Sequence, residues 1–181
     1  MNRYTTGIIL FFIALMTVFN TSCKKEKFLN AGGELRFSVD TLNFDTVFTT
    51  MGSYTAQVKI YNPQDQKVNI SNIKLQTGSA SYFKLNVNGI PGNDVSNIEL
   101  AAKDSMYVFA TVNINPNDST TPFVVHDKLT ATMNGKEFSI PFMAYGQNAY
   151  YIRDSVMKTQ TWKTDKPYVI INNALIDEGQ T

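Results

Sequence analysis

The chain has 181 residues, 12% aromatic and only 17% charged, so it has room for one ordinary domain and some extra and is not disordered by composition. Its net charge of +1 falls to zero once residues 1–22, which hold Arg3 and no acid, are set aside, and a neutral surface gives no electrostatic case for nucleic acid. With one cysteine and one histidine it can build neither an internal disulfide nor a metal centre of Cys and His ligands.

Residues 1–23 read MNRYTTGIILFFIALMTVFNTSC. Arg3 is a positive flank, residues 7–19 are apolar except Thr17, and the small residues Thr21 and Ser22 precede Cys23. That is the layout of a secretory signal peptide. The apolar run falls short of the about 20 residues that a bilayer-spanning helix needs, which disfavours an uncleaved membrane anchor. The segment resembles a bacterial lipoprotein signal, in which the cysteine becomes the first mature residue and carries lipid. Asn20 stands where such signals carry an aliphatic residue. The resemblance implies lipidation at Cys23, anchoring to the outer membrane by acyl chains, and a plain tether over residues 23–33. The competing reading is a spare cysteine beside a simple cleavage site. Among residues 24–27 only Glu26 is acidic, which leaves both the periplasmic and the surface face open.

From Glu34 the pattern becomes short strands between turn residues. Leu35, Phe37 and Val39 alternate with polar neighbours, and Leu42, Phe44 and Val47-Phe48 follow. Tyr54, Ala56, Val58 and Ile60 alternate against Thr55, Gln57, Lys59 and Tyr61 up to a turn at Asn62-Pro63-Gln64-Asp65. Val68 and Ile70 share one face while Ile73 and Leu75 have the other parity, so a bulge is predicted near Ser71-Asn72. Phe83, Leu85 and Val87 make another strand, residues 89–97 read as a loop, and Ile98 and Leu100 lead into a turn at Lys103-Asp104. Residues 106–114 read as the longest alternating strand. Tyr107 and Phe109 on its other face predict cover on both sides. Asn115-Pro116-Asn117-Asp118 stops it.

The strongest local signal is Asn134-Gly135 between two alternating runs. Both positions of a type I′ hairpin need φ > 0, which this pair tolerates. If Met133 faces Lys136, then Ala131 faces Phe138 and Leu129 faces Ile140, so apolar residues meet across the strands. No sustained 3.6-residue period appears between residues 34 and 146. The expected fold is all-β: an immunoglobulin-like antiparallel β-sandwich over residues 34–147, behind a signal peptide over residues 1–22 and ahead of a short C-terminal β segment.

Residues 148–181 read as a linker with Tyr150, Tyr151 and Trp162, then apolar strands at 168–171 and 174–176, then a turn. Because the chain stops just past that turn, the reading expects a truncated product. The stretch LNFDTVFTTMGSYTAQVKIYNPQDQKVNISNIKL, with Tyr61-Asn62-Pro63, the Phe83 strand, Val112 running to Asn115-Pro116, and a closing strand ending at Gly146, is similar to immunoglobulin-like domains of the abnormal-spindle/hydin type. Such domains also occur in Bacteroidetes lipoproteins. The resemblance covers about residues 40–147 and implies a fold, not an activity. The tail Thr161-Trp-Lys-Thr-Asp-Lys-Pro-Tyr-Val-Ile-Ile looks like the start of a right-handed parallel β-helix in longer lipoproteins of that kind.

No nucleophile–base pair, phosphate loop or zinc spacing stands out, so no catalytic residue, metal or cofactor is expected. His126 and Asp127 are adjacent on a strand and should point to opposite faces. Asp65, Asp94 and Asp118 offer oxygens for calcium, but they are not spaced two apart in one loop and read as turn residues. Tyr107, Phe109, Tyr150, Tyr151 and Trp162 are candidates for stacking on a sugar, and packing explains them as readily. Asp followed by Ser or Thr and then an apolar residue or Thr recurs five times where composition predicts roughly one. The hydroxyls are Thr41, Thr46, Ser105, Ser119 and Ser155. The pattern resembles an O-glycosylation acceptor of exported Bacteroidetes proteins, and the same pairs also mark turns leading into strands.

The function expected is a membrane-anchored, non-catalytic module of the cell envelope with a protein or glycan partner. The alternatives are a surface glycan-binding lipoprotein and an accessory domain of an envelope enzyme whose catalytic part lies elsewhere.

Overall fold

In a computed structural model the structure describes residues 27–115 and 123–181. The signal segment, Cys23 and the Asp118-Ser119 pair lie outside the described residues. The strands are β1 (Arg36–Phe37), β2 (Leu42–Phe48), β3 (Ala56–Tyr61), β4 (Val68–Leu75), β5 (Phe83–Val87) and β6 (Ile90–Pro91). They continue with β7 (Asp94–Leu100), β8 (Ser105–Val112), β9 (Phe123–Met133), β10 (Lys136–Gln147), β11 (Tyr150–Met157) and β12 (Tyr168–Ile176).

The first ten strands form two five-stranded sheets, ordered β1-β3-β8-β5-β6 and β2-β10-β9-β4-β7. All their pairings are antiparallel except β2–β10. The chain changes sheet repeatedly between β3 and β9 and closes with the β9–β10 hairpin, giving an immunoglobulin-like sandwich. Alternation explains each strand: β3 and β5 bury every second side chain, and the opposite side chains face out. The rings of Phe44, Phe83 and Phe142 meet between the sheets, with neighbouring centroids 5.4 and 5.5 Å apart. Each such buried ring contributes about 1.5–3 kcal/mol by leaving water.

The predicted hairpin register holds: Met133 pairs with Lys136, Ala131 with Phe138 and Leu129 with Ile140. The predicted bulge is also present, since the β4–β9 register shifts between Ile70 and Asn72. Ser71 covers the gap by donating its hydroxyl to Thr132 O at 2.9 Å.

Five sequence expectations are corrected. The 89–97 loop is largely strand, because Ile73 pairs with Val95 and Lys74 with Asp94. A polar edge strand hides its alternation, and only tertiary burial of Val95 exposes it. The strand at 106–114 ends at Val112, and β10, at 12 residues, is the longest among the described residues. Tyr107 and Phe109 are 38% and 37% exposed, not covered. They lie on the solvent face of an antiparallel sheet, stacked on each other at 5.7 Å, with the Lys59 ammonium 4.7 Å from the Tyr107 ring centre. A hydrogen bond with Tyr107 holds that ammonium above its usual range. Finally, the strand read at 35–39 shrinks to two paired residues, and the polar start of the tail contains β11.

Candidate functional site

The hairpin tip organises one end of the sandwich. Leu29 N donates to Lys67 O at 2.8 Å, and Asn134 Nδ2 donates to Leu29 O and Gly32 O at 3.0 and 3.1 Å. Gly33 adopts φ +88°, and a Cβ there would lie 2.6 Å from a Leu29 methyl. The left-handed backbone therefore favours glycine where residues 28–33 fold against the tip. Phe28, Asn69, Glu99 and Gly135 help line an open cleft of about 510 Å³ beside this segment.

The other end of β10 carries the tail. Thr49 N donates to Gln147 O at 3.0 Å, Thr49 Oγ1 hydrogen-bonds Asn148 Oδ1 at 2.9 Å, and the Tyr151 hydroxyl donates to Thr49 O. At ~3.3 Å per residue, β10 separates the N-terminal segment from the tail by about 35 Å.

In the tail, β11 and β12 pair in parallel, with Tyr150 opposite Tyr168 and Ile152 opposite Ile170. The pairing joins residues eighteen positions apart up to Arg153 and nineteen apart from Ser155, across a register shift. The two tyrosine rings stack at 4.9 Å, and Trp162 stacks on Tyr168 at 4.2 Å. Asp165 accepts from the Tyr150 hydroxyl at 3.1 Å. Desolvation first, and that hydrogen bond second, push the Tyr150 phenol above the ordinary tyrosine value. One level further along, Asn172 Nδ2 donates to Asp154 Oδ2 at 3.0 Å. Both residues are left-handed, at φ +63° and +43°. Past the strands, Thr159 N donates to Gln180 Oε1 at 2.7 Å and Gln160 N to Thr181 O at 3.1 Å.

Of the five predicted stacking residues, Tyr150 and Trp162 thus meet through Tyr168, Tyr107 and Phe109 stack on each other on the sandwich, and Tyr151 is diverted to Thr49. Sequence reading passed over Tyr168 and the Asp154–Asn172 pair. The signal was there: Tyr150-Tyr-Ile-Arg-Asp154 and Tyr168-Val-Ile-Ile-Asn172 share Tyr-x-Ile-x-Asx, a two-copy repeat.

The remaining candidates are scattered. His126 is exposed, whereas the Asp127 carboxylate turns to the Ser81 hydroxyl at 2.5 Å and to Thr77 N at 3.2 Å. Asp65 pairs with Lys103 at 3.0 Å, and Asp94 bonds Asn72. Among the described residues no three His, Cys, Asp or Glu side chains converge as a metal-ion site. Thr41 and Thr46 are exposed, and Ser105 and Ser155 half-buried. Two of their aspartates, Asp45 and Asp154, are left-handed and lie where a parallel register shifts. Among the described residues no helix is long and apolar enough to cross a membrane.

No family model matches the chain, and no curated protein matches it. Solved structures of similar shape include a family 123 glycoside hydrolase from Clostridium perfringens, with TM-score 0.44, 10% identity, 62% of this chain and 26% of that one covered. A protein of unknown function from Porphyromonas gingivalis W83 has TM-score 0.43 and 12% identity over 71% of this chain and 61% of that one. A PapD-like domain of human CEP192 has TM-score 0.40 and 11% identity, over 69% of this chain and 91% of that one. The chain spans about a quarter of the length of the glycoside hydrolase it matches.

Proposed function

We propose that the chain is a non-catalytic module of the cell envelope, held at a membrane through lipid on Cys23, whose sandwich carries an interaction segment away from the anchor. Residues 1–22 act as the export signal, 23–33 as the lipidated tether, 34–147 as the spacer, and 148–181 as a linker and the start of a β-helix-like region. The observation that carries this reading is the placement of the two functional segments at opposite ends of β10, about 35 Å apart by strand length. A rigid two-layer body between anchor and tail suits a spacer, and the exposed tail suits partner binding.

The experiment is metabolic labelling with an alkynyl fatty acid in a host that processes lipoproteins. The native chain takes up label and partitions into a detergent phase, and Cys23→Ser loses both. An unlabelled native chain sinks the anchor.

A second reading, a surface glycan-binding lipoprotein, is favoured by Trp162, which is 40% exposed in an aromatic stack. Retention on a polysaccharide array that disappears in Trp162→Ala supports it. We further propose glycan on some of Thr41, Thr46, Ser105, Ser119 and Ser155. An intact mass equal to polypeptide plus lipid, on protein exported by a native host, ends that idea.

A further inference from the structure

Each edge of the sandwich carries a device that blocks further strand pairing. At the outer edges, β1 and β6 are two residues long, and β6 contains Pro91. β2 carries left-handed Asp45 at a register shift, and β7 carries left-handed Asn97. Such short, proline-bearing or bulged edges are how sheets avoid joining other chains.

The edge of β12 differs. It is nine residues long, Tyr-Val-Ile-Ile-Asn-Asn-Ala-Leu-Ile, with no charge and no proline. Its partner on one side is β11, and among the described residues no strand pairs with its other side. Ile170, Leu175 and Ile176 are each more than half exposed. Its one left-handed residue, Asn172, lies where the β11–β12 register shifts, and left-handed Asp154 lies opposite with the two side chains bonded, so the irregularity is shared by both strands of the pair. The β11–β12 contact is therefore one step of a stack: ring on ring, Asx on Asx, corner on corner. Asn172 uses its amide donor toward Asp154, which leaves the acceptor end of the same amide for the next level.

We infer that the free edge of β12 accepts one more parallel strand, in register, with an aromatic residue over Tyr168 and an Asn or Asp over Asn172. The occupant is a further copy of the Tyr-x-Ile-x-Asx strand supplied as an extended segment. Main-chain hydrogen bonds give the affinity, and the two stacked positions give the register. This deepens the reading of residues 148–181 as β-helix-like and is independent of the lipid on Cys23.

The probe is a synthetic peptide with the sequence of residues 168–176, flanked by lysines for solubility, added to the chain lacking residues 1–22. Hydrogen–deuterium exchange is followed by NMR. Without peptide, the β11–β12 amides are already protected. With peptide, further β12 amides slow at least tenfold and saturably. A peptide with Ser for its Tyr and Leu for its first Asn binds at least tenfold more weakly, and so does the native peptide with the Asn172→Leu chain. Unprotected β11–β12 amides without peptide overturn the β-helix-like reading itself. A protected pair unmoved by peptide, or a scrambled peptide bound equally well, overturns the acceptor edge alone. Concentration-dependent protection of β12 without peptide that added peptide does not displace gives the edge to the folded surface of a second copy and likewise overturns it.

Discussion

The sandwich and the tail are built from the same kind of strand, and each contains one parallel pair, β2–β10 or β11–β12. They differ in what lies across the sheet. In the sandwich every inward side chain meets a second layer: Val58, Val68, Phe83 and Phe142 are fully buried. In the tail no second layer faces the sheet among the described residues, and Leu175 is 61% exposed. The same apolar residues that stabilise one region thus leave the other an open surface. Buried core and open apolar surface are divided between regions of one chain by layer count, not by composition.

The contrast is broken most forcefully by Phe142→Ala. It removes the ring that touches both Phe44 and Phe83 and should cost about 3–5 kcal/mol, whereas Leu175→Ala should stay within about 0.5 kcal/mol. Urea unfolding followed by tryptophan-independent circular dichroism compares the two, and equal midpoints would contradict the division. Next in size is Asn62→Ala. Asn62 is buried, its Nδ2 donates to Gln66 O and Ala101 O at 2.9 and 2.7 Å, and its Oδ1 accepts from Gln64 N at 3.0 Å. Stranding those groups should cost about 2–3 kcal/mol of sandwich stability, measured by the same titration, with the tail stack unaffected. An Asn62→Ala chain as stable as the native one would make this residue a mere turn.

The smallest effect concerns the tail. The folded chain holds the Tyr150 proton more tightly than the unfolded chain does, since the phenol lies above 10.0. The stability it adds is complete below that value and is lost as pH rises through the higher folded value. An alkaline absorbance titration should show one tyrosinate forming late in the native chain and absent in Tyr150→Phe. Loss of β11–β12 amide protection should accompany it. Identical titration curves would remove Tyr150 from the stack.

Much of the sandwich was legible from residues alone. Alternation at Ala56, Val58 and Ile60 and the Asn134-Gly135 turn are local signals, and both survive unchanged in the fold. Asn62 was legible as a turn residue, but its hydrogen bonds to Leu100 and Ala101 join segments nearly forty residues apart and leave no local mark. Tyr107 and Phe109 misled because a strand covered on both sides and a strand with solvent-facing aromatics can have the same pattern. At the candidate site, Trp162 and Tyr150 were visible as aromatics in a polar stretch. Tyr168 was hidden inside an apolar run, and its role depends on which residue lies opposite.

Local chemistry accounts for where most strands of the sandwich run, the hairpin register and the bulge near Ser71, because a period of two and the φ preferences of Asn and Gly act over a few residues. Which strands neighbour one another, which edges are closed, and that Tyr150 lies under Tyr168 and Asp154 under Asn172 follow from long-range pairing. Those partners are eighteen or more residues away, and hydrogen bonding between strands is indifferent to side-chain identity until both strands are in place.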